Sequence, residues 1–256
     1  MTRDPAASLG GALDSRRVLA LVPAHNEASR IAPVVEGARR HLEVLVVDDG
    51  SADDTARVAE AAGAQVLRQP ENRGKGEALK AGFRRALAEG AAAVVTLDAD
   101  GQHDPSEIPA FLAARERSGA DLVIGVREFR DMPPARRLAN LLGKRVLGWA
   151  TGREILDNQS GYRLIGRRLM EAMLASEERG FAFEVEMIVE CARRGWAIDW
   201  VPIRTIYGDE KSHINPVTHL ARFLTLAVRI RRARGRAGDT QGRARDRPGA
   251  PRGRGD

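Results

Sequence analysis

Two aspartates at the end of a strand-like run are the residues of this sequence best suited to chemistry. Asp98 and Asp100 follow the apolar run Ala93–Leu97 in the segment AVVTLDADGQHDP. Because alternate side chains of a strand point to the same side, their carboxylates can converge, with the amide of Gln102 close behind. Carboxylate and amide oxygens suit Mg²⁺ or Mn²⁺. The segment therefore predicts a metal site formed by Asp98, Asp100 and Gln102, with open positions that a diphosphate can fill.

A simpler interpretation is that these acids only open a turn before the next helix. We accept it for Asp104, which with Pro105 is expected to cap that helix. For Asp98 and Asp100 we favour a metal, because the apolar strand leads directly into them and nothing local neutralises the pair.

The segments that must position these acids alternate between strand-like and helix-like patterns. We predict strands at 18–22, 44–47, 64–67 and 93–97, and helices at about 28–40, 53–62 and from Asn72–Gly76 to residue 87. Such alternation is typical of an α/β fold with a mainly parallel sheet covered by helices on both faces. Ligands of these sheets bind beyond the carboxyl ends of the strands. The clusters Pro23–Glu27, Asp48–Ser51 and Asp98–Gln102 should therefore share one rim.

The second half of the chain is less regular. We predict helices at about 106–118, 134–150, 166–175 and 183–194, and strands at 121–126 and 196–203. Arg127 lies just past the first of these strands, and the polar segment Asp157–Arg163 precedes the helix that begins near Gly166. We expect this half to add an acceptor platform to the first half.

Composition favours one domain of moderate size. The 256 residues, 43% of them apolar, can bury one core. The single cysteine, Cys191, excludes an internal disulfide and suits a reducing compartment. No apolar run approaches the ~20 residues that cross a bilayer, and the N-terminus lacks a signal-peptide core. We therefore expect a cytoplasmic protein, either free or bound to the cytoplasmic face of the membrane.

The formal charge of +6 is concentrated near the C-terminal end. Residues 229–256 hold ten arginines against three aspartates, a net charge of +7, which leaves −1 for residues 1–228. Because the body is nearly neutral, we expect no specific nucleic-acid binding.

Four segments follow from these patterns: a disordered leader at 1–16, a folded domain at 17–215, a basic amphipathic helix at 216–234 and a disordered Arg/Gly-rich tail at 235–256. The helix is predicted from apolar residues at helical spacing, namely Val217, Leu220, Leu224 and Val228. It can lie on an anionic membrane surface or pack on the domain, and the sequence leaves both interpretations open.

Five motifs in order along the chain resemble glycosyltransferase family 2. They are VPAHNEA at Val22, VVDDGSADDT at Val46, NRGKGEALKAGF at Asn72, LDADGQHDP at Leu97 and DNQSGYR at Asp157. Within that family they most resemble the branch of dolichyl-phosphate or polyprenyl-phosphate mannosyl- and glucosyltransferases. The resemblance covers about residues 18–215. This resemblance implies a GT-A fold, a nucleotide-sugar donor of the GDP-mannose or UDP-glucose type, a divalent cation and inversion at the anomeric carbon.

The resemblance also implies roles for individual residues. Those expected to hold the nucleoside are Pro23, Ala24, Asn26 and Glu27. Asp49 is expected at its base or ribose and Asp98 near the ribose. Asp100 and Gln102 are then the more direct ligands of the Mg²⁺ or Mn²⁺ that bridges the diphosphate. We add Lys75 to the donor site, because main-chain amides at the start of its helix can contact the ligand, although its glycine neighbours can equally serve tight packing.

The acceptor implied by the resemblance is a polyprenyl or dolichyl phosphate. Its oxygen is already anionic near neutral pH, so attack on C1 of the sugar needs cations rather than a strong base. The candidates for binding it are Arg127, Arg163, Arg204, Lys211 and His213. Arg163 can equally be a surface or buried-pair arginine. A hydroxyl acceptor would need a carboxylate base, for which Asp157 is best placed, although we favour a role for Asp157 in fixing its loop.

Asp100, Arg127 and Asp157 are thus the expected catalytic residues. We expect no C-terminal membrane spans of the kind found in larger members of the branch, so the helix at 216–234 is the candidate for peripheral membrane contact. A nucleotidyltransferase would also use a parallel sheet and metal-binding acids, but no basic glycine-rich loop follows the first strand. A further alternative is an arginine-rich nucleic-acid binder. If deletion of residues 236–256 removed nucleic-acid binding, the tail alone would be responsible for it.

Overall fold

The part of the chain that the structure describes folds around one seven-stranded sheet. The structure, a computed structural model, describes residues 17–127, 134–178, 180 and 182–204, with the backbone alone for 134–140 and 142. The strands are β1 (Val18–Ala24), β2 (Glu43–Asp48), β3 (Gln65–Arg68), β4 (Ala93–Thr96), β5 (Leu122–Arg127), β6 (Arg163–Gly166) and β7 (Ile198–Ile203). The helices are α1 (Ile31–Arg39), α2 (Thr55–Ala61), α3 (Lys75–Ala88), α4 (Ile108–Ser118), α5 (Pro134–Thr151), α6 (Arg167–Met173) and α7 (Ala182–Arg194).

Parallel pairing dominates the sheet, whose strand order is β3-β2-β1-β4-β6-β5-β7. β1 lies between β2 and β4, and its Leu21 is opposite Leu45 on one side and Thr96 on the other. β2 pairs in parallel with β3, and β5 with β7. The predicted α/β class with a mainly parallel sheet is therefore confirmed.

β6 is a strand that the sequence pattern does not predict. Its four residues, RLIG, are all buried and run antiparallel to both neighbours. Arg163 lies opposite Thr96 of β4 and Ile124 of β5. A short buried run without alternation has no period from which a strand can be recognised. Pairing along both edges decides its conformation, so the polar segment 157–163 ends inside the sheet.

Helices cover both faces of the sheet. Alternate residues of β1 divide between two cores: Ala20 and Val22 pack with α1, α2 and α4, whereas Leu19 and Leu21 pack with α3, α6 and α7. Burying a Val or Leu side chain fully contributes about 1.5–3 kcal/mol. The two layers therefore hold the strands firmly in register, and with them the loops at their carboxyl ends.

Both ends of the chain lie outside the described residues. The predicted leader (1–16), amphipathic helix (216–234) and tail (235–256) fall there, as do Lys211 and His213. Within the described part, no helix combines the length and the apolar character that crossing a bilayer requires.

Candidate active site

A cleft of about 310 Å³ opens at the carboxyl ends of β1, β2 and β4. The loops after these strands form its walls together with the start of α3. Its lining residues are Pro23, Ala24, His25, Glu27, Asp49, Asn72, Gly74, Lys75, Ala78, Asp98, Ala99 and Asp100. The three polar clusters expected at one rim meet here, because parallel strands present their carboxyl ends at the same edge.

Asn26 connects two of the loops. Its φ of +57° lies in the left-handed region, which asparagine tolerates better than most residues. Its main-chain N–H donates to the Ser51 hydroxyl at 2.9 Å, and its side-chain oxygen accepts from the main-chain N–H of Ala52 at 2.9 Å. The next N–H, of Glu27, donates to the Thr55 hydroxyl at 2.7 Å. Asn26 thus shapes the cleft through its neighbours rather than lining it.

Asp49 holds the start of α3 in place. Its two carboxylate oxygens accept the main-chain N–H groups of Arg73 at 2.9 Å and Gly74 at 2.8 Å. Gly74 has a φ of +91°, a conformation that side chains oppose, so a glycine is required there. Asp49 lines the cleft where a nucleoside is expected, and its carboxylate is already engaged with this loop.

Lys75 forms an ion triad with two acids. Its ammonium lies 2.5 Å from Oδ1 of Asp98 and 2.9 Å from Oε1 of Glu184, a buried residue of α7. Burial would lower the pKa of Lys75, but the two carboxylates outweigh it and raise that pKa. Burial would likewise raise the pKa of Asp98, but the charge of Lys75 prevails and lowers it to about 2. The expectation that nothing local neutralises Asp98 is therefore wrong, because α3 brings a cation to it.

His103 supports Asp98 from within the protein. Its Nδ1 accepts the main-chain N–H of Asp98 at 3.0 Å, and its Nε2 lies 3.9 Å from Oδ2 of the same residue. The ring is buried beside Tyr162, with 5.0 Å between ring centroids. Burial lowers the pKa of His103, and Nδ1 can accept this hydrogen bond only while it carries no proton. Neutral His103 therefore fixes the backbone of the acidic loop.

Asp100 adds negative charge to the cleft. Its Oδ1 accepts the main-chain N–H of Gln102 at 2.9 Å, which shapes the loop. Burial raises the pKa of Glu27 and the charge of Asp100 raises it further, against the opposing effect of Arg30. Two acids that repel each other across a cleft favour a bound cation. Among the described residues, no group of three or more His, Cys, Asp or Glu side chains is arranged to hold a metal ion by itself.

Arg127 and Asp157 form a two-point ion pair at the end of β5. Nε and Nη2 of Arg127 donate to Oδ2 and Oδ1 of Asp157 at 2.9 and 3.1 Å. Asp157 is fully buried and also accepts the main-chain N–H groups of Gln159 and Ser160. These contacts match the loop-fixing role that we favour for Asp157. A buried carboxylate with both oxygens engaged is poorly placed to take a proton from an acceptor.

Arg163 is only 1% exposed. Its guanidinium donates to three main-chain carbonyls, those of Asn158, Ser160 and Glu184. A guanidinium so engaged fixes the polar loop against α7, and this placement gives no support to its predicted contact with an acceptor phosphate. Arg204, by contrast, is exposed just beyond β7, and its main-chain N–H donates to Oε1 of Glu107 at 2.8 Å.

A family model described as glycosyl transferase family 2 matches residues 20–173, more than half of the chain. The match contains the residues that line the cleft, Arg127 and the Asp157 loop. The chain belongs to glycosyltransferase family 2. The resemblance carried by the five motifs is thereby confirmed, and the protein is an enzyme of the glycosyltransferase class.

Two relatives of this glycosyltransferase are named for polyprenyl phosphates. The undecaprenyl-phosphate mannosyltransferase of Micrococcus luteus is 35% identical over 203 residues, covering 73% of this chain and 82% of the relative. The polyprenol monophosphomannose synthase of Mycolicibacterium smegmatis is 30% identical over 206 residues, covering 74% of this chain and 77% of the relative. The similarity to the polyprenyl-phosphate branch of the family is thus confirmed.

A solved structure shares the fold of this glycosyltransferase. Glucosyl-3-phosphoglycerate synthase from Mycobacterium tuberculosis, in complex with Mn²⁺, UDP and glucosyl-3-phosphoglycerate, matches it with a TM-score of 0.65. The two are 21% identical, and the match covers 90% of this chain and 85% of that one. The predicted GT-A fold is confirmed; the predicted C-terminal helix lies outside the described residues.

Glu184 is the residue of this glycosyltransferase site that the sequence analysis missed. It lies on α7 among buried apolar neighbours, which include Phe183, Val185, Met187 and Ile188. An acid on the apolar face of a helix needs a partner, because burying an unpaired charge is very unfavourable. This break in the apolar pattern is the signal that could have identified it.

Proposed function

We propose that this glycosyltransferase moves a hexose from a nucleotide-sugar of the GDP-mannose or UDP-glucose type to a polyprenyl or dolichyl phosphate, with inversion at the anomeric carbon. The observation that carries the proposal is the cleft in which the Asp100 carboxylate and the Lys75 ammonium line the same rim. The relatives named for undecaprenyl phosphate and polyprenol support the acceptor class.

We place the donor in the cleft in one orientation. Its nucleoside would lie against the loop Pro23–Glu27 and beside Asp49, and its diphosphate would point towards Lys75 and Asp100. The Lys75 side chain is 30% exposed, so its ammonium can reach a phosphate oxygen while Glu184 still holds it. A cation at this position stabilises the charge that develops on the departing diphosphate.

The cleft also fits a divalent cation, Mg²⁺ or Mn²⁺. Its lining contains one ammonium, of Lys75, and four carboxylates, those of Glu27, Asp49, Asp98 and Asp100. Without added positive charge this lining would repel a diphosphate. We place Asp100 and Gln102 as the direct ligands and Asp98 as a weaker one, because Lys75 already neutralises Asp98. Mg²⁺ is commonly held by one or two carboxylates and completed by substrate phosphates, and when bound it neutralises the leaving group.

The acceptor phosphate would supply the nucleophile. One of its oxygens forms the new bond to C1 opposite the leaving group, while the C1–O bond to the nucleoside diphosphate breaks and the diphosphate leaves with the electron pair. We place Arg127 and Arg204 at this phosphate, because β5 and β7 bring both to the carboxyl edge of the sheet. Asp157 holds Arg127 in position, and Lys211 and His213 stay predicted additions.

The test is an incubation of the purified protein with labelled GDP-mannose or UDP-glucose and a polyprenyl phosphate, with Mn²⁺, Mg²⁺ or EDTA. We expect a lipid-linked sugar and a nucleoside diphosphate only when a divalent cation is present, and an inverted anomeric centre in the product by NMR. The Asp100→Ala variant is the control and should form at least about a hundredfold less product.

Two other outcomes would replace the proposal. Glycosylation of a glycan or another hydroxyl acceptor, with no lipid-linked sugar from any donor, would move the protein to the hydroxyl-acceptor class. Release of pyrophosphate from a nucleoside triphosphate would indicate a nucleotidyltransferase.

A further inference from the structure

Helix α5 has an exposed apolar face that the donor cleft does not use. The large hydrophobic side chains exposed among the described residues are Leu141, at 44%, and Trp149, at 55%, and both lie on α5. At about 100° per residue, Leu141, Arg145 and Trp149 fall within about 80° of one another around the helix. Among the residues of the helix whose side chains the structure describes, the buried ones fall on the opposite side, and they are Gly143, Leu147, Ala150 and Thr151.

The same helix is strongly basic. α5 contains Arg136, Arg137, Lys144 and Arg145 and no acidic residue. Arg145 is exposed between Leu141 and Trp149. An exposed tryptophan and leucine among cations, without any acid, are typical of helices that lie on an anionic lipid surface, where tryptophan sits at the level of the headgroups.

α5 also adjoins the proposed acceptor site. A Cβ added to Gly143 would lie 3.0 Å from Nδ2 of Asn158, so the helix packs directly on the loop that holds Asp157. Lys144 lies within electrostatic reach of the ion pair: burial lowers its pKa, Asp157 raises it and Arg127 lowers it. A lipid phosphate bound at Arg127 would keep its hydrocarbon chain in the bilayer. The surface beside Arg127 must therefore approach the membrane.

We propose that α5 is a membrane-contacting surface, on which Leu141 and Trp149 insert among the headgroups of an anionic bilayer and Arg145 binds lipid phosphates. The inference rests on the proposed lipid acceptor, because its purpose is to present Arg127 to a phosphate at the bilayer surface. It assigns membrane contact to a part of the catalytic domain itself, in addition to the helix predicted at 216–234.

Tryptophan fluorescence of the full chain tests the contact directly. With vesicles of phosphatidylglycerol and phosphatidylcholine we expect a blue shift of the emission and quenching by brominated lipid, and neither with phosphatidylcholine alone. The Trp149→Phe variant should lose both signals. The control Trp200→Phe, on the half-buried strand β7, should keep them. Equal signals from wild type and Trp149→Phe would overturn the proposal.

Co-sedimentation with the same vesicles tests the charge. Arg145→Glu should weaken binding about fivefold or more, since each basic residue near an anionic surface contributes appreciably. Arg117→Glu makes the same change of net charge on α4, on the other face of the sheet, where Arg117 lies 3.3 Å from Asp199. It should change binding less than about twofold. Equal losses in the two variants would overturn the proposal, because they would report net charge alone.

The double variant Leu141→Ser/Trp149→Ser distinguishes membrane contact through α5 from attachment through the C-terminal segment and from contact with a second copy of the chain. We expect it to lose most of its vesicle binding with an unchanged melting temperature. If it keeps full binding while removal of residues 205–256 abolishes it, the C-terminal segment is the attachment and α5 is not. If it instead changes the mass of the protein in solution, α5 joins two copies of the chain, and the proposal is overturned.

The failure of this inference differs from the failure of the proposed function. Transfer of sugar to polyprenyl phosphate by α5 variants that bind vesicles like the wild type would overturn the inference and leave the function standing. Vesicle binding through α5 by a protein that glycosylates no polyprenyl phosphate would support the membrane contact and overturn the function.

Discussion

The two sides of the rim differ in the burial of their charged groups. The proposed donor side is the cleft with Asp98 and Asp100, and the proposed acceptor side is Arg127 with the Asp157–Arg163 loop. On the proposed donor side, Glu27, Asp98 and Asp100 are partly exposed, and partial burial together with the charge of Asp100 raises the pKa of Glu27. On the acceptor side, Asp157 and Arg163 are almost completely buried and are held by hydrogen bonds inside the protein. On the proposed donor side Lys75 pairs with Asp98, and Asp100 keeps a partly exposed carboxylate in the cleft for the proposed cation. On the proposed acceptor side, internal contacts hold both Asp157 and Arg163.

The triad of Lys75, Asp98 and Glu184 joins the two sides. Lys75 begins α3 in the first half of the chain, and Glu184 belongs to α7 in the second. An ion triad shared between the halves couples the position of Asp98 in the cleft to the packing of the second half of the chain. Variants that separate activity from stability can therefore test each side of the comparison.

The largest effect is expected for Asp100→Ala. It should lower transferase activity at least about a hundredfold, because it removes a proposed ligand of the divalent cation that would stabilise the leaving group. The free energy of unfolding should change by less than about 1 kcal/mol, because the residue is a partly exposed acid at a strand end. Steady-state kinetics and denaturant unfolding measure the two quantities.

Asp104→Ala is the matched control for that variant. Its carboxylate accepts the main-chain N–H of Ser106 at 2.9 Å, so its loss should cost about 1 kcal/mol of stability and leave most of the activity. Full activity of Asp100→Ala would contradict the idea that the donor side is built around an available acid.

Arg127→Ala should show the opposite pattern and lower the free energy of unfolding by about 2 kcal/mol, because it leaves Asp157 as a buried acid without its cation. It should also raise the KM for the acceptor, as measured by titration with polyprenyl phosphate. Adding Asp157→Asn should restore part of the stability without restoring acceptor binding. If Arg127→Ala were as stable as the wild type, the ion pair between Arg127 and Asp157 would not stabilise the fold.

Gly161→Ala tests the contact between the two sides. A Cβ there would lie 2.7 Å from Oδ2 of Asp98 and 2.9 Å from Nζ of Lys75. Both atoms are at the ends of side chains that can shift, so we expect the free energy of unfolding to fall by about 1 kcal/mol or less. Transferase activity should fall about tenfold, because the side chains of the site would be displaced. Gly180→Ala, where a Cβ would meet nothing within 4 Å, should change neither. Equal activity in the two variants would show that transferase activity does not depend on the position of Lys75 and Asp98.

The smallest effect concerns the pH dependence of stability. His103 has a lowered pKa in the folded protein, so the unfolded chain binds a proton first as the pH falls below about 6.5. Its contribution is therefore present above that pH and is lost as the pH falls below it. His103→Asn removes the titration, and denaturant unfolding at pH 7 and pH 6 should show a correspondingly smaller change. Identical pH dependence of the two proteins would contradict a neutral His103.

Local order along the chain was enough to predict the rim. The strands and helices of the first half alternate clearly, and parallel strands must bring Asp49, Asp98 and Asp100 to the same edge. The five motifs indicated the family for the same reason, since each is a short loop whose residues are adjacent in sequence. The α/β class and the composition of the cleft follow from these local signals, and the GT-A fold follows from the family resemblance that the motifs carry.

Contacts between distant residues were decided only by the tertiary structure. β6 is a strand because β4 and β5 pair with it, Lys75 neutralises Asp98 because α3 packs beside β4, and Glu184 joins them from α7. The burial of Arg163 likewise depends on carbonyls that its own segment and α7 supply together. The order of strands and helices in the sequence predicted that the loops holding Asp49, Asp98 and Asp100 meet at one edge of the sheet. Folding decided which of their charges are paired, because a charge is neutralised by whatever group the packed chain brings within a few ångströms of it.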